Sequence, residues 1–357
     1  MSIESKTLEK KMKAAQAEKK PWTAQRVKDT LLNNALLILM AIAIIVIAIE
    51  NPLFIQPSSI INILSQTCVY LPIALGIGGC IVLTGTDLSA GRIVGLTACI
   101  SASLLQAVDA ASKMWPNITP PPVLLVLVGV MAIGALIGCF NGFFVAKFKL
   151  HPFIVTLGTQ LIVFTMLLLY VKAGNNAGMA ISGLDASYSE FITGSFLKIA
   201  GTPIPNYVWM SLLLTAVMWV IWNKTTFGKN MFALGANEEA ARVSGVNVFK
   251  TTVMVFALAG AMYGVTGFIE GARVASNTAN TGLNYELDAI AACVIGGVSF
   301  VGGIGKISGV VIGVLMLRLI FVGLNMMHIS QDLIYVIKGG IILFACALDM
   351  RKYLVKK

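Results

Sequence analysis

The sequence predicts an all-α polytopic integral membrane protein of about ten transmembrane helices with a partial internal repeat. Three observations predict it. Only 12% of the 357 residues are charged and 57% are hydrophobic, where a soluble domain carries about 25% charged residues. The apolar residues fall in nearly charge-free runs of about 20, the length that crosses a hydrocarbon layer at ~1.5 Å per residue. The 26 basic residues are spread unevenly between those runs. A net charge of +10 on a soluble chain would point to nucleic acid, and the apolar excess excludes that partner here.

Taken in order, residues 1–30 form a basic segment carrying Lys6, Lys10, Lys11, Lys13, Lys19, Lys20, Arg26 and Lys28. A charge-free run from Thr30 to Ile49 follows, broken by Glu50, Asn51 and Pro52. A cleaved signal peptide is the rival reading, disfavoured because no A-x-A-like site follows and the basic region is long. The expected spans are 31–49, 60–83, 92–108, 123–146, 153–171, 207–222, 251–270, 287–301, 307–325 and 334–348. The second, third and eighth are short or Gly-rich, so the range is eight to ten. With a cytoplasmic N-terminus, 20 basic residues lie in cytoplasmic segments. Only Lys113, Lys172, Lys198 and Arg273 lie outside, and Arg318 and Lys338 fall inside spans. That asymmetry sets orientation. It predicts a multi-pass plasma-membrane protein with both termini cytoplasmic, a membrane domain over 31–348, a cytoplasmic loop over 223–250 and a cytoplasmic tail over 349–357. Lys338, near a helix end, is expected to snorkel.

Cys68, Cys80, Cys99, Cys139, Cys293 and Cys346 all sit in apolar runs without a C-x-x-C pair, so they read as small buried hydrophobes. His151 and His328 are far apart. No metal site and no cofactor are expected. Residues 302–308 (Gly-Gly-Ile-Gly-Lys-Ile-Ser) resemble a phosphate loop, but the first glycine position holds Phe300 and Ile307 follows Lys306. A P-loop needs glycine and Ser/Thr there, so any ATP acts through a partner.

Two stretches echo one another: 80–95, around Gly85-Thr-Asp-Leu-Ser-Ala-Gly-Arg92, and 293–309, around Gly302-Gly-Ile-Gly-Lys306. Each is an apolar segment, a break of small residues, a basic residue and a second apolar segment. Such paired breaks point to a substrate path or to close helix packing, and both readings stand. Within 223–250, Asn237 has the place of an N-cap and Glu238 and Glu239 complement the helix dipole. Ala240, Ala241 and Arg242 favour helix, and Gly245 fits a left-handed end next to Val246. Two turns are unstable alone in water. The helix therefore lies on the bilayer or serves as a lever driven by a cytoplasmic partner.

With these motifs, together with Pro152-Phe-Ile-Val-Thr-Leu-Gly-Thr159, the run 235–248 and Glu286-Leu-Asp-Ala-Ile-Ala-Ala-Cys-Val-Ile-Gly-Gly297, the chain resembles permease subunits of bacterial ATP-binding-cassette importers for monosaccharides. The galactose/methyl-galactoside branch is nearest, with ribose and xylose permeases as wider relatives. The resemblance implies a transport subunit that is not itself an enzyme. It implies a separate cytoplasmic ATPase, an extracytoplasmic sugar-binding protein, a homodimer of the permease in lipid, and transport by alternating access. It assigns Gly235, Asn237, Glu238, Glu239, Ala240, Ala241, Arg242 and Gly245 to ATPase coupling.

A sugar path needs donors, acceptors and aromatic faces. The candidates are Asp87, Ser89 and Arg92 at the first break and Asn284, Tyr285, Glu286 and Asp288 before the second, with Asn141, Thr156, Thr159 and Gln160 behind them. The plainer reading pairs Asp87 with Arg92, and Glu270 with Arg273 one turn away. The alternative function is an ion-gradient-driven secondary transporter. It is disfavoured because the acids cluster near span ends and a capped cytoplasmic helix has no role in a lone carrier.

Overall fold

The computed structural model describes residues 35–199 and 201–354. The expected basic segment 1–30 lies outside them. Among the described residues the chain forms thirteen α-helices and one small hairpin. They are α1 (Ala35–Glu50), α2 (Pro57–Val82), α3 (Ala90–Leu104), α4 (Val123–Phe148), α5 (Pro152–Lys172), α6 (Ala186–Thr193), α7 (Asn206–Lys224), α8 (Thr226–Ala236), α9 (Glu238–Val243), α10 (Val248–Val274), α11 (Tyr285–Ile295), α12 (Ile307–Met326) and α13 (Gln331–Leu354). The hairpin pairs β1 (Leu197–Ile199) with β2 (Thr202–Ile204), antiparallel.

Each of the ten expected spans coincides with a helix, and six helices (α2, α4, α5, α7, α10 and α12) are long and apolar enough to cross a membrane. The third and eighth spans are shorter than expected. α3 has 15 residues and α11 only 11, about 22 and 16 Å at helical rise, against a hydrocarbon core of about 30 Å. Both are buried along almost their whole length.

The layering follows from side-chain size. α2 and α10 form the centre, each 72% buried in its apolar window, while α4, at 22%, faces outward. Between the polar ends of α4, α5 and α7 the exposed residues are apolar except Thr165, among them Leu136, Leu161 and Leu213, as suits a lipid-facing surface. α4 lies against α10 through glycines. A Cβ on Gly134 would overlap the carbonyl oxygen of Gly260, and one on Gly138 that of Phe256. Without a hydrophobic drive between helices in lipid, this close backbone approach is what holds such pairs together.

The helices run antiparallel, so Lys147, Lys224, Lys250 and Lys306 gather at one end of the bundle, called here the basic end. The region 223–250 is more regular than expected. α7 stops at Lys224, and Thr225 turns the chain by capping the Gly228 amide of α8 at 3.1 Å. α9 then projects outward. At the opposite end, α6 begins at Asp185, which accepts from the Ser187 amide and hydroxyl. Those bonds hold its carboxyl below the usual carboxylate range.

Candidate functional site

The two echoed breaks meet. α2 ends where Leu83 and Gly85 both donate to the Cys80 carbonyl and Thr84 takes φ +61°. The second break, 296–306, folds back so that Gly303 N–H donates to the Val82 carbonyl at 2.9 Å. The end of α8 fills the remaining corner. A Cβ on Gly235 would overlap the Val82 carbonyl oxygen, and Gly302, at φ +90°, lies against the Gly235 carbonyl and Thr84. The three backbones are therefore in direct contact. The echo is mirrored in length: the first break joins a long helix to short α3, the second joins short α11 to long α12.

Beyond Gly85 the chain re-enters the bundle. Asp87 and Ser89 are fully buried. Asp87 Oδ1 accepts from the Ser89 amide at 3.0 Å and the Ser89 hydroxyl at 2.6 Å. Asn141 Nδ2 donates to Ser89 Oγ at 3.0 Å, and Thr159 Oγ1 donates to Asn141 Oδ1 at 2.6 Å. Thr156 bridges the same loop, accepting from the Leu88 amide and donating to the Thr86 carbonyl, both at 3.2 Å. Asn141 precedes the end of α4, and Thr159 follows the start of α5, by seven residues each, about 10 Å of helix. This places the chain of polar groups inside the membrane domain. Asp87 Oδ2 lacks a hydrogen bond of normal geometry, and the buried Tyr263 hydroxyl lies beside the carboxyl.

Short α3 and short α11 begin side by side. Gly91 has no room for a Cβ because Glu286 Oε2 and the Gly282 carbonyl press on it. Asn284 turns the chain into α11 at φ +63°, and Glu286 and Asp288 occupy its first turn, both buried. Their negative charge lies at the positive end of the helix dipole. Tyr285 donates to Glu270 and lies 4.6 Å, ring to ring, from Tyr70. Glu270 is also clasped by Arg273, at 2.8 and 2.7 Å.

At the basic end α9 has the expected caps. Asn237 Oδ1 accepts from the Ala240 amide at 2.9 Å. Gly245, at φ +85°, and Val246 donate back to the Arg242 and Ala241 carbonyls at 3.0 Å each, the bond pattern of a Schellman end. Val243 on this helix is 90% exposed.

The family described as "Branched-chain amino acid transport system / permease component" matches residues 59–346. The chain belongs to this family. The permease is 47% identical over 322 residues to a galactose/methyl galactoside import permease protein of Salmonella typhimurium, covering 90% of this chain and 94% of the relative. It is 42% identical to the protein of that name from Haemophilus influenzae, over 92% and 97% of the two chains. It is 37% identical to a ribose import permease protein of Bacillus subtilis, over 87% and 90%. No solved structure matches it.

Apart from Arg92, the expected site residues of the permease fall into three groups. Asp87 and Ser89 join Asn141, Thr156 and Thr159 in one buried chain, while Gln160 is half-buried. Asn284, Tyr285, Glu286 and Asp288 gather at the start of α11. Gly235, Asn237, Glu238, Glu239, Ala240, Ala241, Arg242 and Gly245 belong to the basic-end junction and α9, where Glu238 pairs with Arg242 at 2.6 Å in solvent.

Two expectations are corrected. Asp87 does not pair with Arg92: the turn into α3 sends Arg92 to the Ala279 carbonyl, at 3.3 Å, and over the Phe164 ring, at 4.1 Å. Lys338 does not snorkel: its ammonium lies 2.9 Å from Asp288 Oδ1, the ion pair with a buried carboxylate holding it against α11. The expected Glu270–Arg273 pair is present. Tyr70 carried no signal in the sequence, since one tyrosine in an apolar run reads as core. Arg318 did carry one, being a cation within a span.

Proposed function

We propose that this permease is the membrane-spanning subunit of an ATP-binding-cassette importer that moves a monosaccharide into the cytoplasm, galactose or methyl galactoside by likeness to its relatives. The observation that carries the reading is the junction at the basic end. A capped helix with an almost wholly exposed valine is tied, through the Gly235 backbone, to both breaks that bound the buried polar groups. A helix of six residues has too few turns to be stable alone, which suits an element held against a protein partner. The partner is a separate cytoplasmic ATPase. Two copies of the permease in lipid form the pathway, and an extracytoplasmic binding protein delivers the sugar.

In this reading all ten spans cross the membrane, as whole or half helices, and both termini are cytoplasmic. The membrane domain is 31–348, and 223–250 is the coupling region between the basic segment 1–30 and the tail 349–357. ATP-driven closure of the ATPase displaces α9. Because Gly235, Val82 and Gly303 are in backbone contact, α8 cannot shift without moving the ends of α2 and of the second break. The path then opens outward, and Asp87, Ser89, Arg92, Asn284, Tyr285, Glu286 and Asp288 meet sugar hydroxyls as it turns inward.

The test is co-reconstitution of the permease with its ATPase and binding protein in proteoliposomes. ATP-dependent, vanadate-sensitive galactose uptake is the expected result. Uptake that needs no ATP and collapses with a protonophore would establish a secondary carrier instead. The family description favours one second reading, a branched-chain amino acid, and leucine in the same panel separates it.

A further inference from the structure

The charge that stood inside an expected span has a defined place. Arg318 of α12 is 6% exposed, and its Nη2 donates to Asp288 Oδ2 of α11 at 2.6 Å. Lys338 of α13 reaches the same carboxylate at 2.9 Å. One carboxylate thus holds two cations; Asp288 and Arg318 are buried, and Lys338 is half-buried beside them. The guanidinium lies 3.7 Å over the Tyr70 ring of α2, and Tyr70 stacks on Tyr285, which donates to Glu270. Arg318 Nε, though buried, has no hydrogen-bond partner. A cleft between α11 and α12, lined by Tyr70, Asp288, Ala292, Val314 and Arg318, runs past these groups and is closed to a water-sized sphere.

A structural clamp accounts for this poorly. Buried ion pairs stabilise a fold little more than apolar side chains of the same size. A clamp needs one cation per carboxylate, and it leaves no buried donor open. A surplus cation, an open N–H, a doubly engaged carboxylate and an aromatic face are instead the groups that receive a polyhydroxy ligand. Ionisable side chains inside a membrane domain generally mark the path of a substrate.

We propose that Arg318, Asp288, Lys338 and Tyr70 form a monosaccharide subsite of the permease, closed in this conformation by bonds among its own members. When α11 and α12 part, Arg318 Nε and Lys338 donate to sugar hydroxyl oxygens, Asp288 accepts from a hydroxyl, and the Tyr70 ring lies under the apolar face of the sugar ring. The inference rests on the importer reading and deepens it, since it gives the permease a sugar site of its own.

The test uses the full complex in proteoliposomes, with galactose as the probe and saturating loaded binding protein. Sugar uptake and ATP hydrolysis are measured together for the wild type, Arg318→Lys, Lys338→Gln and Tyr70→Leu. Loss of one hydrogen bond to a charged group corresponds to about tenfold. Galactose moved per ATP is therefore expected to fall about tenfold in Arg318→Lys and Lys338→Gln and to fall in Tyr70→Leu, where the aromatic face is lost, and Arg318→Lys is expected to alter the ratio of galactose to ribose uptake. A clamp would instead lower uptake and hydrolysis in proportion, along with thermal stability, leaving both ratios at the wild-type value. That result overturns the subsite. Should a variant fail to assemble, the ratios measured on the others decide. If the wild-type complex moves no sugar with ATP, the importer reading itself fails, an outcome distinct from wild-type transport with indifferent variants.

Discussion

Asp87 is the residue whose chemistry is hardest to explain by packing. It is fully buried, one oxygen is held by Ser89, and the other lacks a hydrogen bond of normal geometry, with the Tyr263 hydroxyl beside the carboxyl. A buried carboxylate with no cation beside it is costly to a fold, so a residue chosen for stability alone would not be a carboxylate. Asn at this position keeps the acceptor for Ser89 and removes the charge. We expect Asp87→Asn to insert and fold in near-normal amount while ATP-driven sugar uptake falls about tenfold or more, about 1.4 kcal/mol per decade. Uptake per folded protein equal to the wild type would remove Asp87 from the path. The residue type and its place beside a break were legible in the sequence. Its partners were not, since Asn141 and Thr159 come from two other helices and only the re-entrant turn brings them within reach.

Among the elements, α9 was the most legible, because its caps are local. Asn237, Glu238, Glu239 and Gly245 state the start and stop within nine residues, and the structure uses them as such. α8 was not legible. Its sequence, Thr-Phe-Gly-Lys-Asn-Met-Phe-Ala-Leu-Gly-Ala, has two glycines and only 11 residues, and it is helical because it packs on the ends of neighbouring helices. The shortness of α3 and α11 was also hidden, since an apolar run does not say where the backbone leaves the helix. The lever reading predicts separate outcomes at two glycines. Gly245→Pro removes the amide that closes α9 and imposes a negative φ where +85° is needed. The membrane domain is expected to insert normally, with sugar-stimulated ATP hydrolysis and uptake both lost. Gly235→Ala, which forces apart Val82 and Gly303, is expected to lower thermal stability as well. Normal uptake in Gly245→Pro would show that α9 transmits nothing.

For the whole molecule, orientation is the property on which every assignment of cytoplasmic and outer faces depends. It has an electrical basis. Basic residues resist translocation, and 20 of 26 fall on one side when the expected spans are threaded through a membrane. The structure brings Lys147, Lys224, Lys250 and Lys306 to a single end of the bundle, the end that also carries α9, whereas Arg273 ends α10 at the other. The six native cysteines are buried or half-buried, so an introduced thiol at an exposed lysine can be read against a low background. We expect Lys198→Cys, in the exposed hairpin, to react with a membrane-impermeant maleimide in intact cells. Lys229→Cys, in α8, and Lys306→Cys, before α12, are expected to react only after the membrane is opened. The reverse pattern would place α9 outside, where no ATPase could reach it, and the coupling assignment would fall with the orientation. Labelling of both classes in intact cells would mean that the number of crossings between Lys198 and Lys229 is even, which would deny α7, at 19 residues and one of the six long apolar helices, its passage through the bilayer.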